Sequence, residues 1–354
     1  MEVTIHVGLI GFGMAGRLFH APFISNVPSL KLSKIKANRP ESIALAKQRY
    51  PDATIVTDEQ DIFSDALLDL VVIATANPTH YSLAKAALLA GKNVLVDKPF
   101  TITTAEADEL IAIAKQKNKL LTVYQNRRWD SDFKTVKKVL AEQLLGNVVE
   151  YEAHFDRFRN EIKLATWKEE NLPGAGILYD LGAHLIDQAL VLFGEPQEVY
   201  ADIRKQRKDS LIPDYFEVQL HYPTLKAILK AGMLVRETGP HFIIHGDKGT
   251  FIKYGMDVQE VALKAGSFPT AADQNWGTEP EALWGTLHTE IDDKPYIGKY
   301  RSEPGNYSEL YQNVYQAIVG TQELEVRPEH ARNTIKVIEL AIQSNHEKRR
   351  ISYS

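Results

Sequence analysis

Apolar and polar positions follow two rhythms along the 354 residues, and the change falls near residue 124. Up to that point short apolar runs alternate with segments of helical period. Residues 4–10, 31–37, 70–76, 93–96 and 120–124 read as strands. The run 70–76 is apolar without a break, as expected of a parallel strand covered on both faces. Residues 81–89 read as a helix closed by Gly91, and Thr103 with Glu106 forms a capping box opening a helix that ends near Asn118. This alternation predicts a doubly wound α/β unit.

Beyond residue 124, residues 132–145 read as a helix ending at Gly146, 148–158 as a long alternating strand and 179–193 as a second helix. Strand-like segments then follow at 199–204, 215–221, 225–234, 241–245 and 250–254. Many strands with few helices predict an α+β domain on a large, mainly antiparallel sheet with one face open. Residues 265–304, rich in Gly, Pro and charge, read as loop, and helices near 307–320 and 328–346 end the chain. The length favours two domains, expected as 1–124 and 125–354.

The first strand runs directly into Gly11-Phe12-Gly13-Met14-Ala15-Gly16. Strand, glycine turn and helix N-terminus in that order are what a dinucleotide site requires. Gly11 permits the turn, Gly13 lets main chain approach a pyrophosphate, and Gly16 lets the helix pack on the strand. Free N–H groups at the helix start then face the anion. An acid expected about 20 residues on, which would bind a ribose 2′-hydroxyl, is absent. Asn38-Arg39 stands at the end of the second strand instead, a neutral residue beside a cation. That pair suits a 2′-phosphate, so NADP is expected ahead of NAD.

Composition narrows the class further. Hydrophobic content of 44% fits a globular protein, and a net charge of −5 argues against general nucleic-acid binding. The absence of Cys excludes disulfides, thiol nucleophiles and thiolate metal sites. No signal-like N-terminus and no bilayer-length apolar stretch is read, so a cytoplasmic protein without membrane contact is expected. A sheet face left uncovered by helices favours a homodimer or homotetramer.

Three further clusters carry candidate chemistry. Thr75, Asn77 and His80 lie at and beyond the end of strand 70–76, where ligands bind in open α/β sheets. They read either as cofactor contacts or as a helix-initiating turn around Pro78. Asp97-Lys98-Pro99 follows the strand 93–96. There Lys98 reads either as a donor to a substrate oxygen or as a surface partner of Asp97. Asp180 and His184 lie four apart within 174–194, on one face of an expected helix. They read as a proton-transfer pair or as a solvated helix pair.

Together these residues resemble the Gfo/Idh/MocA oxidoreductases over nearly the whole chain. The glycine fingerprint falls on Gly11, Gly13 and Gly16, and the family's Glu-Lys-Pro motif on Asp97-Lys98-Pro99. Its Asp-x-x-x-His pair falls on Asp180 and His184, after Gly174 and Gly176. Segments 126–130, 179–184, 241–246 and 251–255 are similar to the bacterial NADP-dependent scyllo-inositol 2-dehydrogenase group.

The resemblance implies a Rossmann domain and hydride transfer between nicotinamide and a secondary alcohol of a cyclitol or sugar. It implies proton transfer by His184, oriented by Asp180, with Lys98 on the reacting oxygen. Gly11, Phe12, Gly13, Met14, Ala15, Asn38, Arg39, Thr75, Asn77, His80, Asp97 and Lys98 are expected at the cofactor. Asn126, Arg127, Asp156 and Tyr179 are expected at the substrate. Groups from two domains would have to meet for reaction, and no metal is required. A non-catalytic NAD(P)-binding sensor on the same fold, or a family reductase acting on a non-sugar substrate, is the alternative.

Overall fold

A computed structural model describes residues 3–162, 169–270, 273–291 and 294–354, which form two compact units. The first comprises Met1–Asn126, Glu260–Trp276 and Asn306–Arg332. Its described strands are β1 (Ile5–Ile10), β2 (Leu30–Lys36), β3 (Thr54–Val56), β4 (Leu70–Ile73), β5 (Asn93–Val96) and β6 (Leu121–Val123). They form a wholly parallel sheet in the order β3-β2-β1-β4-β5-β6. Val7, Leu9, Val71, Val72, Val94 and Leu95 are fully buried, the mark of strands covered on both faces. The order reverses between β1 and β4, which opens a crevice beyond their carboxyl ends. The expected capping box is present: Glu106 N–H donates to Thr103 Oγ1, and the Glu106 carboxylate accepts from Thr103 N–H.

Chain from far along the sequence completes this unit. Thr122 Oγ1 donates to the Val326 carbonyl at 2.7 Å, and Tyr307 packs edge-on against Phe23 with ring centres 5.5 Å apart. The helix Ser308–Ile318 brings Tyr311, fully buried, into the same core.

The second unit comprises Arg127–Gln259, Gly277–Gly305 and Asn333–Ser354. Its described strands are β7 (Val148–His154), β8 (Glu198–Arg204), β9 (Tyr215–His221), β10 (Lys226–Gly232), β11 (Phe242–Gly246), β12 (Thr250–Lys253), β13 (Gly285–Ile291), β14 (Lys294–Tyr300) and β15 (Ile351–Ser352). Their order is β14-β13-β12-β11-β7-β10-β9-β8-β15; β7 and β10 pair parallel, and the other neighbours are antiparallel. Tyr151, Ala153, Val218, Leu229 and Phe242 are buried on one face, while Glu152, Glu217 and Lys230 on alternate positions stay partly exposed. The fold is therefore a Rossmann domain with a mainly antiparallel second sheet.

Two expectations are corrected. Residues 265–304 hold the β13–β14 hairpin as well as loop, although 271–272 and 292–293 lie outside the described residues. Edge strands are kept polar against aggregation, and Pro295 with Lys294 and Lys299 makes β14 look like loop. The uniform helix expected over 179–193 instead begins with a π turn, Leu178–Gly182, and becomes α-helical at Ala183–Phe193. The glycines flanking Tyr179-Asp180-Leu181 locate this change. Gly176 has φ +90°, and a Cβ at Gly182 would lie 2.9 Å from Leu178 Cδ1.

Candidate functional site

The first unit offers a cradle for an anion at the carboxyl ends of β1 and β4. Gly11 has φ +101°, and a Cβ there would meet the Ala74 carbonyl oxygen at 2.5 Å. One at Gly16 would meet the Gly11 carbonyl oxygen at 2.0 Å, so these two glycines are required by packing alone. At Gly13 nothing lies within 4 Å. That open space, beside a helix start where Arg17 N–H already bonds the Gly13 carbonyl, fits the close approach of a pyrophosphate. Met14 is exposed, whereas the Phe12 ring is buried against Tyr50, so Phe12 presents main chain alone. Asn38 and Arg39 are exposed at the end of β2, and the helix Pro40–Arg49 follows.

Segments 74–80 and 97–99 lie side by side, since Asp97 N–H donates to the Ile73 carbonyl. Thr75 and Thr79 share a hydroxyl hydrogen bond at 2.7 Å, and Asn77 lies in the three-residue turn that opens the next helix. His80 is wholly buried: its Nδ1 lies 2.8 Å from the Pro99 carbonyl oxygen and its Nε2 3.2 Å from that of Thr75. Burial holds this imidazole below its usual pKa, against the opposing pull of Asp97 and the two carbonyls. The ring therefore stitches the 75–80 turn to the chain just after Lys98. On the other side, Asp97 Oδ1 accepts from Lys98 N–H at 2.8 Å, and Asp97 Oδ2 lies 3.6 Å from His20 Nε2. Lys98 is thus flanked by two buried histidines and is itself half-buried.

In the second unit, Tyr179 and Asp180 sit in the π turn and His184 in the first turn of the following helix. Inserted π turns are frequent at functional sites. His184 is 5% exposed and lies over Phe155, ring centres 6.5 Å apart at 25°. The Arg127 guanidinium lies 4.8 Å from the same Phe155 ring and pairs with buried Asp130 at 2.9 Å. Asp156 Oδ1 accepts from Gly232 N–H at 3.0 Å, and its Oδ2 lies 3.3 Å from His154 Nδ1. His184, Tyr179, Arg127 and Asp156 all belong to this unit, whereas Asn126 belongs to the first.

Sequence reasoning missed several supports. Arg128 makes a two-pronged bond to Asp187, 2.8 and 2.7 Å, and Gln188 Nε2 donates to the Arg127 carbonyl. These bonds fasten the His184 helix one turn beyond the histidine. The signal lay in a doubled arginine and an acid three residues past His184. Also unread were the contact of buried His241 with Asp132, Nδ1 2.8 Å from the carboxylate, and the His20–Tyr311 pair. Among the described residues no His/Asp/Glu cluster has the arrangement of a metal site, and no helix is long and apolar enough to cross a membrane.

Comparison with known proteins covers both units. The Gfo/Idh/MocA description "oxidoreductase family, NAD-binding Rossmann fold" matches residues 5–125, and "oxidoreductase family, C-terminal alpha/beta domain" matches 137–353. The chain is 41% identical to the uncharacterized oxidoreductase YdgJ of Escherichia coli, covering 97% of each. It is 39% identical to the scyllo-inositol 2-dehydrogenase (NADP(+)) IolW of Bacillus subtilis, covering 98% of this chain and 96% of that one. A solved structure from Bacteroides fragilis, 46% identical, matches with a TM-score of 0.90 over 99% of each chain.

Proposed function

Because the chain belongs to the Gfo/Idh/MocA oxidoreductase family, we propose that it is an NADP-dependent dehydrogenase of a secondary alcohol on a cyclitol or sugar. The observation that carries this reading is the likeness to a scyllo-inositol 2-dehydrogenase over nearly the full length of both chains. Bound nicotinamide supplies the hydride acceptor, or the donor in the reverse direction.

In this reading His184 takes the hydroxyl proton, and Asp180 orients and polarises it. Lys98 hydrogen-bonds the reacting oxygen and stabilises developing alkoxide. Asn126, Arg127, Asp156 and Tyr179 contact ring hydroxyls. Gly11, Gly13 and the main chain of Phe12, Met14 and Ala15 face the pyrophosphate, with Thr75, Asn77 and Asp97 beside them. Wholly buried His80 acts by holding that turn. Arg39 pairs with the 2′-phosphate and Asn38 adds no competing charge, which favours NADP over NAD. Cofactor binding is assigned to residues 1–124 and substrate binding to 125–354, and self-association to the uncovered sheet face.

A panel of cyclitols and sugars, followed by NADPH absorbance, tests the reading. Turnover is expected with scyllo-inositol or a close stereoisomer. Tight NADPH binding without turnover of any member, in either direction, would identify a sensor instead.

A further inference from the structure

Resting on the reading that Lys98 serves the reacting oxygen, we infer that Tyr311 and His20 form a buried relay that grips the Asp97 side chain and so fixes the main chain carrying Lys98. The geometry runs through three distant parts of the first unit. Tyr311 Oη lies 2.6 Å from His20 Nδ1, His20 Nε2 lies 3.6 Å from Asp97 Oδ2, and Asp97 Oδ1 accepts from Lys98 N–H at 2.8 Å. A carboxylate only accepts, so the proton on the imidazole belongs on Nε2; Nδ1 then accepts from the Tyr311 hydroxyl. The Tyr311 hydroxyl and the Lys98 amide each find an acceptor, and between them His20 Nε2 faces Asp97 Oδ2 at 3.6 Å, an electrostatic contact longer than a hydrogen bond.

Packing alone does not call for these residue types. His20 and Tyr311 are both fully buried, and a phenylalanine at either position would fill an apolar core without polar atoms to satisfy. The His20 ring is held between neighbours: Tyr124 lies against it with ring centres 4.2 Å apart, and the Tyr124 hydroxyl donates to the Phe19 carbonyl at 2.5 Å. It therefore keeps its Nε2 toward Asp97.

Charge at Asp97 follows from the same contacts. Burial pushes its carboxyl up, but His20 first, and then Lys98 and His80, outweigh burial and hold it below the usual carboxylate range. Tyr311, also close, is itself pushed well up by burial and stays protonated as the donor. Without His20 the carboxyl loses its main counterweight and takes a proton at higher pH, which loosens its hold on the Lys98 amide.

The test compares Tyr311→Phe, His20→Phe, His20→Gln and, as control, Lys98→Met. The first two should bind NADPH with nearly parental affinity in fluorescence titration and keep the alcohol KM. Their kcat should fall about tenfold, as expected for a slightly misplaced catalytic group. The acid limb of the kcat–pH profile should move to higher pH in His20→Phe and return in His20→Gln, which restores an N–H donor. An unmoved profile in His20→Phe and Tyr311→Phe, with Lys98→Met inactive, overturns the relay and leaves the lysine's role standing. Full activity of Lys98→Met overturns the underlying reading instead. Should His20→Phe not fold, Tyr311→Phe and the ¹⁵N spectrum of the parent imidazole decide. An Nε2–H tautomer perturbed by Tyr311→Phe supports the relay, and an Nδ1–H tautomer overturns it.

Discussion

Lys98 lies in a segment pinned by main-chain groups and two imidazoles, whereas His184 begins a helix fastened by an arginine fork. The contrast extends through each unit. In the first, the described Lys and Arg ion pairs sit at the surface, as with Lys34–Asp65, Lys85–Glu109 and Arg332–Asp108. The second has surface pairs too, such as Lys138–Glu303 and Lys226–Glu150, but adds pairs withdrawn from water: Arg128–Asp187, Arg127–Asp130, Arg207–Asp214 and Lys253–Glu279. In the first the His80 imidazole grips main-chain carbonyls, so its loss would strand no charge. A buried pair is brittle, because losing one partner strands the other charge. The two halves of the proposed chemistry should therefore fail differently.

His184→Ala gives the largest effect. It removes the proposed acid/base group without stranding a charge, so kcat should fall by about 10²–10⁴ while NADPH still binds. Parental turnover would remove His184 from the mechanism. Next comes Arg128→Met, which leaves Asp187 buried and unpaired at a cost of about 3–5 kcal/mol. Thermal unfolding should show a large fall in Tm, and any folded fraction should lose kcat through the displaced helix. An unchanged Tm would mean that the fork holds nothing.

Two buried carboxylates sharpen the comparison further. Asp97 is held low because His20 offsets its burial, but Asp257 has no such partner. It accepts from Ser131 and Gln259 main-chain N–H groups, 2.7 and 2.8 Å, and faces Asp132. Burial, then the charge of Asp132, pushes its carboxyl from 3.8 up to about 6. The folded protein thus binds this proton more tightly than the unfolded chain does. Its contribution to stability is present below pH 3.8 and is lost as pH rises toward 6, about 3 kcal/mol in all. Urea midpoints of parent and Asp257→Asn, compared from pH 4 to 7, should converge on the acid side, and the parent should lose ground as pH rises. Parallel curves would place the carboxyl in an ordinary environment.

The same contrast explains what could be read from the chain beforehand. Gly11, Gly13 and Gly16, the Thr103–Glu106 box and the 97–99 segment act over a few residues, so spacing exposes them. The fork joins residues 59 apart, Asp132 and His241 are 109 apart, and His20 and Tyr311 are 291 apart. No local pattern encodes such pairs. Tyr311 was out of reach for a second reason: the first unit takes in Asn306–Arg332, a return of the chain that the change of rhythm near residue 124 could not announce. The π turn was hidden because Asp180 and His184 satisfy helical spacing, and only the local glycines distinguish a wider turn from a regular one.

The smallest predicted effect bears on the surface of the main-chain-held unit. Arg39 is exposed, has no ion pair among the described residues, and directly precedes the helix Pro40–Arg49. A cation there opposes the helix dipole, at about 0.3–1 kcal/mol, so helix stability does not account for it. Lys36, the other cation at the end of β2, is already paired with Glu59 at 3.3 Å. A 2′-phosphate would reverse the balance by giving Arg39 a charge-assisted bond of about 1.5–3 kcal/mol. Arg39→Ala should therefore weaken NADP binding about 10- to 150-fold, leave NAD binding nearly unchanged, and slightly raise Tm in the absence of cofactor. Raised salt should erode the difference between the two cofactors in the parent more than in the variant, because the lost contact is ionic. Fluorescence titration of both cofactors at low and high salt reads all of this. Equal weakening for NADP and NAD would show that Arg39 shapes the loop rather than reading the phosphate.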